Sequence, residues 1–175
     1  AIGVPQSSHP VVLDISTSVV ANGKIRVAQI SGQQCPDGWI IDHNGLPTND
    51  PNVRFTEPNG SILSMGGYKG FGLGLLLDML VGGLTGGQSP PAIAGEVECN
   101  NVLVIAFDPV KFAGISHFEN QVTELIQFVR DTPTRPDVDE IRLPGDRSRT
   151  TRLDRLENGL SLDAGTWTAL QELAG

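Results

Sequence analysis

Alternation dominates the first stretch of the chain. From Val11 to Val20 the order Val-Val-Leu-Asp-Ile-Ser-Thr-Ser-Val-Val puts Val11, Leu13, Ile15 and Val19 on one side and Asp14, Ser16 and Ser18 on the other, the period-two signature of a β-strand. A small polar face on an otherwise apolar strand suits a solvent edge or a ligand that needs hydrogen bonds. The pattern then predicts a helix from Val19 to about Ile30, in spite of Gly23, which costs about 1 kcal/mol against alanine. Residues 36–58 are rich in Asn, Asp, Gly and Pro and read as turns around a short Trp39–Ile41 segment. Gly60–Gly74 is a glycine-rich loop leading into a helix from Leu73 to about Leu84. That helix is apolar nearly all round, which predicts a central position. Val102–Phe107 reads as a buried strand. Ser116 opens an amphipathic helix, with Glu119 three residues on completing a capping box, and Phe118, Val122, Leu125, Ile126 and Val129 forming its stripe. A short strand, Val138–Leu143, precedes Pro144-Gly145-Asp146. Two helices close the chain, Arg147–Asn158, ended by Gly159, and Leu162–Leu173. No internal repeat is visible, and strands and helices are intermixed, so the fold class is α/β or α+β.

Composition narrows the partners. Over 175 residues, 39% are apolar, enough for a core, and the net charge is −8, which argues against nucleic acid because phosphate binding needs a net basic face. Eleven of the 21 glycines cluster between residues 60 and 95, which points to a loop-and-helix device. Gly70–Gly95 is the most membrane-like stretch. Asp78, its glycines and a Pro-Pro pair break it below 18 charge-free apolar residues, so a buried helix is expected and no membrane span. Cys35 and Cys99 are far apart and form no CxxC, which fits a reducing cytosol. The opening Ala1–Pro10 lacks a basic region and a long apolar run. A soluble, cytoplasmic protein is expected.

The segment Gly66-Gly67-Tyr68-Lys69-Gly70-Phe71-Gly72-Leu73-Gly74 is the most distinctive. Glycines allow a phosphate or ring to approach backbone N–H groups, a helix N-terminus favours negative charge, and Lys69 adds a cation. The loop is neither a Walker A motif nor GxGxxG, so a cofactor site and a tight structural turn both remain open. Asp14, Ser16 and Ser18 could meet ribose hydroxyls or simply line a half-exposed strand. Pro144-Gly145-Asp146 reads equally as a turn with Asp146 as helix N-cap. Arg142, Arg147, Arg149, Arg152 and Arg155 crowd the same region, as a solvated face or as a contact for a nucleotide phosphate. His9, His43 and His117 have no partners at metal-ligand spacing, and no GxSxG elbow supports a serine triad.

Taken in order, these pieces resemble the second-type malate/L-lactate dehydrogenase family. The matching stretches are Ala1-Ile2-Gly3-Val4-Pro5, Val12–Ser18, Asn22-Gly23-Lys24-Ile25, Pro36-Asp37-Gly38-Trp39, Gly66–Leu73, Asn101-Val102-Leu103, Leu143–Arg147 and the closing Gly159–Trp167 segment. Each is weak alone, but the ordered series covers nearly the whole chain. The resemblance implies an oxidoreductase that passes hydride between NAD or NADP and C2 of a small 2-hydroxy or 2-oxo acid such as malate or lactate. It further implies a homodimer and a mixed sheet with flanking helices in a cofactor domain that is not a Rossmann fold. By position, Asp14, Ile15, Ser16, Thr17, Ser18, Lys69, Pro144, Gly145 and Asp146 would hold the dinucleotide. Residues 1–143 would form the NAD(P)-binding domain and 144–175 a C-terminal helical segment.

Two departures qualify the match. Asp146 stands where the family usually has a glutamate. The front half of the family pattern, with its catalytic His and its carboxylate-gripping Arg, has no counterpart, and none of the three histidines falls at that motif. Ala1 reads as mid-strand, so the expectation is a C-terminal portion that is inactive alone. A non-catalytic nucleotide-binding module and a phosphate-handling enzyme using Lys69 are the competing readings. The second needs a carboxylate pair near the loop, and Asp78 has no clear partner there.

Overall fold

The computed structural model describes residues 1–90, 100–162 and 164–174. The chain forms two units, one made of Ala1–Asp14 with Asp108–Gly175, the other of Ile15–Phe107. Residues 144–175 thus belong with 1–14 and 108–143.

In the first unit, β1 (Ile2–Val4) pairs antiparallel with β2 (Val11–Leu13), Gly3 opposite Val12. The strand predicted over Val11–Val20 is cut short. After Leu13 the chain leaves the ladder, and Ser18 returns only as an isolated bridge to Ser64 in the second unit. Period-two patterning requires an extended backbone but does not supply a pairing partner along its whole length. The helix expected from Ser116 is α3 (Ile115–Asp131). Gly114 caps it without any side-chain bond, so the predicted capping box does not form. Phe118, Val122, Ile126 and Val129 make its less exposed stripe, while Leu125 is exposed. α4 (Asp146–Asn158) ends at Gly159 (φ +84°), and α5 (Ala164–Ala174) follows; both match the pattern within two residues.

The second unit holds all four buried hydrophobic residues among the described ones: Val20, Ile25, Cys35 and Ile40. Ile25 lies on α1 (Asn22–Ile30) and Ile40 on β3 (Ile40–Ile41), the centre of a three-stranded antiparallel sheet with β4 (Pro47–Thr48) and β5 (Ser61–Ile62). Trp39, Val53, Phe55 and Ile62 pack around them, and the Arg26 guanidinium sits 4.2 Å over the Phe55 ring. Burial raises the free Cys35 thiol above its ordinary pKa, helped by the charge of Asp50. Cys99 lies outside the described residues.

Three expectations fail here. The apolar helix is α2 (Tyr68–Thr85), longer than predicted, and it is not central: Phe71, Leu76, Met79, Leu80 and Leu84 are all exposed. Residues 102–107 form no strand and are exposed, Val104 to 81%. Val138–Leu143 is irregular as well. Each apolar run has the composition of a buried element but lacks a covering surface among the described residues. The accessible area makes the same point. It is 13915 Å² for 18.6 kDa, whereas a compact protein of that mass exposes about 8,200 Å², and even two separate bodies of half that mass only about 9,900 Å². No helix among the described residues is long and apolar enough to cross a membrane.

Candidate functional site

The second unit brings together two sequence segments some fifty residues apart. Thr17 O accepts from Met65 N at 2.9 Å, and Leu63 O accepts from Val19 N at 2.8 Å. The Ser16–Ser18 stretch therefore runs beside the residues that lead into the glycine loop. Ser16 Oγ and Ser18 Oγ lie 2.7 Å apart, and Ile15 and Ser16 are exposed. Opposite them the chain turns through Gly66 and Gly67, both at positive φ, into the first turn of α2. Gly70 is buried, its amide donating to Met65 O at 3.0 Å, and an added Cβ would collide with that carbonyl oxygen. Farther along, a Cβ at Gly74 would lie 2.9 Å from Thr17 Oγ1. Gly70 and Gly74 thus let α2 lie close against Met65 and Thr17. Sequence spacing alone gave no sign of the Gly70–Met65 and Gly74–Thr17 approaches. Lys69 is exposed and makes no ion pair among the described residues. Two neighbouring serine hydroxyls, an exposed ammonium and a glycine-lined helix start are a donor set that fits an anion carrying sugar hydroxyls.

Asp14 and the Pro144-Gly145-Asp146 turn lie in the first unit. Val12 N donates to Pro144 O at 3.1 Å. Gly145 sits at φ +98° with Val12 O 3.2 Å from where a Cβ would stand, so both conformation and space select glycine. Gly145, not Asp146, is the cap of α4, because Asp146 is already helical. Its carboxylate turns back instead: Oδ2 accepts from Leu143 N at 2.9 Å, Oδ1 lies 3.6 Å from His9 Nε2, and Oδ2 lies 3.7 Å from Arg130. Ser8 Oγ meets His9 Nδ1 at 2.9 Å. His9, Arg130 and Asp146 are too far apart in sequence for reasoning by motif to have grouped them. Partial burial acts to raise the Asp146 carboxyl, but the Leu143 amide, His9 and Arg130 outweigh it and hold the group below its ordinary range.

The stability sign follows from that depression. The stabilisation from Asp146 is fully present above the ordinary carboxylate pKa of about 3.9 and is lost as pH falls through the lower folded value. Asp146→Asn is expected to cost about 1–2 kcal/mol at pH 7, with the gap to the parent closing in acid, as pH falls through the depressed folded value. Urea unfolding at pH 7 and in acid measures it; a gap that stays constant with pH would refute the assignment.

Among the described residues no group of three or more His, Cys, Asp or Glu side chains could hold a metal ion.

The sequence profile of the malate/L-lactate dehydrogenase family matches residues 1–171. The chain is 33% identical over 173 residues to the L-lactate dehydrogenase of Cupriavidus necator, covering 98% of this chain and 49% of that protein. It is 34% identical to the malate/(S)-sulfolactate dehydrogenase of Methanothermus fervidus, covering 99% and 50%. A solved dehydrogenase from Sinorhizobium meliloti superposes with a TM-score of 0.81 at 29% identity, covering 99% of this chain and 51% of that one. The chain spans about half the length of the curated relatives it matches.

Proposed function

Because the chain belongs to the malate/L-lactate dehydrogenase family, we propose that it holds the dinucleotide of an NAD(P)-dependent oxidoreductase acting at C2 of a small 2-hydroxy or 2-oxo acid. The observation that carries this reading is the juxtaposition of the Ser16–Ser18 hydroxyls with the Lys69 glycine loop. When bound, the nicotinamide gives or takes the hydride. The chain's own residues position it: Asp14, Ile15, Ser16, Thr17 and Ser18 offer hydroxyl and backbone groups to the ribose, and Lys69 with the start of α2 takes the pyrophosphate charge. The Pro144-Gly145-Asp146 turn is assigned to the dinucleotide by the family resemblance, and its backbone is the part left for that role, because the Asp146 carboxylate is already engaged by Leu143, His9 and Arg130. In this reading residues 1–143 act as the cofactor domain, of the non-Rossmann type that the family resemblance implies, and 144–175 as a helical segment. We take the enzyme to be a cytoplasmic homodimer. Its free buried Cys35 and the uncovered apolar face of α2 support that reading. Proton transfer at the substrate oxygen is not assigned to His9, His43 or His117.

NADH fluorescence titration tests the site. Lys69→Ala is expected to weaken NADH binding about 10–100-fold, the worth of one charge-assisted contact, while excess ATP leaves NADH binding unaltered. An unchanged Kd in the variant would sink the reading, and displacement by ATP would favour a phosphate-handling site.

A further inference from the structure

The dinucleotide reading gives the histidines no role, and one of them stands in a line of groups suited to a different reaction. His9 lies in the turn between β1 and β2, with Ser8 on one side of its ring and Asp146 on the other. Ser8 Oγ is 2.9 Å from Nδ1, and Asp146 Oδ1 is 3.6 Å from Nε2. These residues all belong to the first unit. Asp146 is fixed from its far side: Oδ2 accepts from the Leu143 amide at 2.9 Å and faces Arg130 at 3.7 Å, which leaves Oδ1 for the imidazole. A carboxylate beside Nε2 favours the tautomer that carries its proton there, so Nδ1 keeps a lone pair for the Ser8 hydroxyl. The Gln6 side-chain amide donates to Ser8 Oγ at 2.8 Å. Ser8 is exposed, while the side chains of His9 and Asp146 are only 24% and 21% accessible. The hydroxyl is thus open to a substrate and the groups behind it are partly shielded from water. Serine, imidazole and carboxylate in this order make a serine nucleophilic, an arrangement defined by geometry and not by a GxSxG motif.

We propose that Ser8 is the nucleophile of a second, hydrolytic site that cleaves short-chain carboxylic esters. Ser8 Oγ bonds to the ester carbonyl carbon as its proton passes to His9 Nδ1. Asp146 holds the imidazolium so formed, and the second N–H of the Gln6 amide donates to the carbonyl oxygen. The bond from carbon to the alcohol oxygen then breaks, and the alcohol leaves with the proton from Nδ1. Water adds to the acyl carbon and gives a proton to Nδ1. Ser8 Oγ takes that proton back as it is expelled, which releases the carboxylic acid. Ser8 and His9 are the catalytic residues, and Asp146 is a positioning residue. Gln6 also lines a cavity of about 340 Å³ with Ser7 and with Glu119, Asn120, Thr123 and Glu124 of α3, at the small end of ligand sites. Its polar lining suits an acetyl-sized group and disfavours a long acyl chain. Nothing in this site draws on the dinucleotide reading.

A fluorophosphonate probe, which phosphonylates activated serines, and p-nitrophenyl acetate read the site in the 175-residue chain. The expected result is one probe molecule per chain, placed on Ser8 by peptide mass spectrometry. Turnover of p-nitrophenyl acetate should fall at least about 100-fold in S8A and in H9Q. H117Q removes an exposed histidine outside the site and should keep both labelling and rate, which separates this chemistry from ester cleavage by any surface imidazole. The octanoate ester should be cleaved at least about tenfold more slowly than the acetate. Asp146→Asn should lower kcat about tenfold, and Asp146→Glu, which keeps the charge, should recover most of it. Equal losses in those two variants remove Asp146 from the site. Circular dichroism of S8A and H9Q matching the parent assigns their losses to chemistry. Absence of labelling, labelling at another serine, or hydrolysis that S8A or H9Q leaves unchanged overturns the proposal.

Discussion

Gly70→Ala is expected to destabilise the second unit by about 3 kcal/mol or more and to abolish NADH binding. The Gly70 Cα faces the Met65 carbonyl that its own amide bonds to, and a Cβ would overlap that oxygen, with Met65 Cγ and N both at 3.0 Å. Those neighbours are backbone or close to it, so relief requires moving the loop away from α2. The same loop carries the Met65–Thr17 bond that aligns the Ser16–Ser18 segment, so a shift there displaces Ser16, Ser18 and Lys69 together. Gly72→Ala is the matched control, because nothing lies within 4 Å of its added Cβ. Thermal melts and NADH titration of both variants decide the matter. A Gly70 variant as stable and as competent as the Gly72 one would show that the close approach does not position the site.

Ile40→Ala is expected to unfold most of the second unit at 25 °C. Truncating a fully buried isoleucine costs about 2–5 kcal/mol through lost transfer energy and the cavity left behind. In a large core that loss is shared among many neighbours; here the buried set is Val20, Ile25, Cys35 and Ile40. Ile40 also stands, with Ile41, in the register that joins β3 to both flanking strands, opposite Thr48 on one side and Ile62 on the other. With total stabilities of natural domains only about 5–15 kcal/mol, a core this small leaves little margin. Circular dichroism and urea titration provide the readout. A midpoint shift smaller than that of the exposed control Ile30→Ala, at a residue 78% accessible, would refute the argument.

Local signals were the legible part of this fold. Helices α1, α3, α4 and α5 fall within a few residues of their predicted spans, because capping glycines such as Gly159 and apolar spacing act over one or two turns. Burial was not legible. Hydrophobicity read α2 and residues 102–107 as interior, yet both are exposed, since an apolar segment states a need for cover and not where the cover comes from. The site residues show the same division. Ser16, Ser18 and Lys69 were picked out by type and by local pattern. Their adjacency depended on the Thr17–Met65 and Val19–Leu63 bonds, which no spacing rule contains.

By itself the sequence determined the helical segments, the glycine turn, the acidic balance and, through its ordered motifs, the family. These are properties of nearest neighbours along the chain, or of residue identity, and they survive without knowledge of packing. Only the tertiary structure decided that Asp146 closes on His9, Arg130 and Leu143 instead of capping α4. Only there does Gly70 press on Met65, and only there do Arg130, Arg142, Arg147 and Arg149 line one cleft. Each of these depends on contacts between segments distant in sequence, where loop closure and side-chain packing choose among partners that the local pattern leaves equivalent.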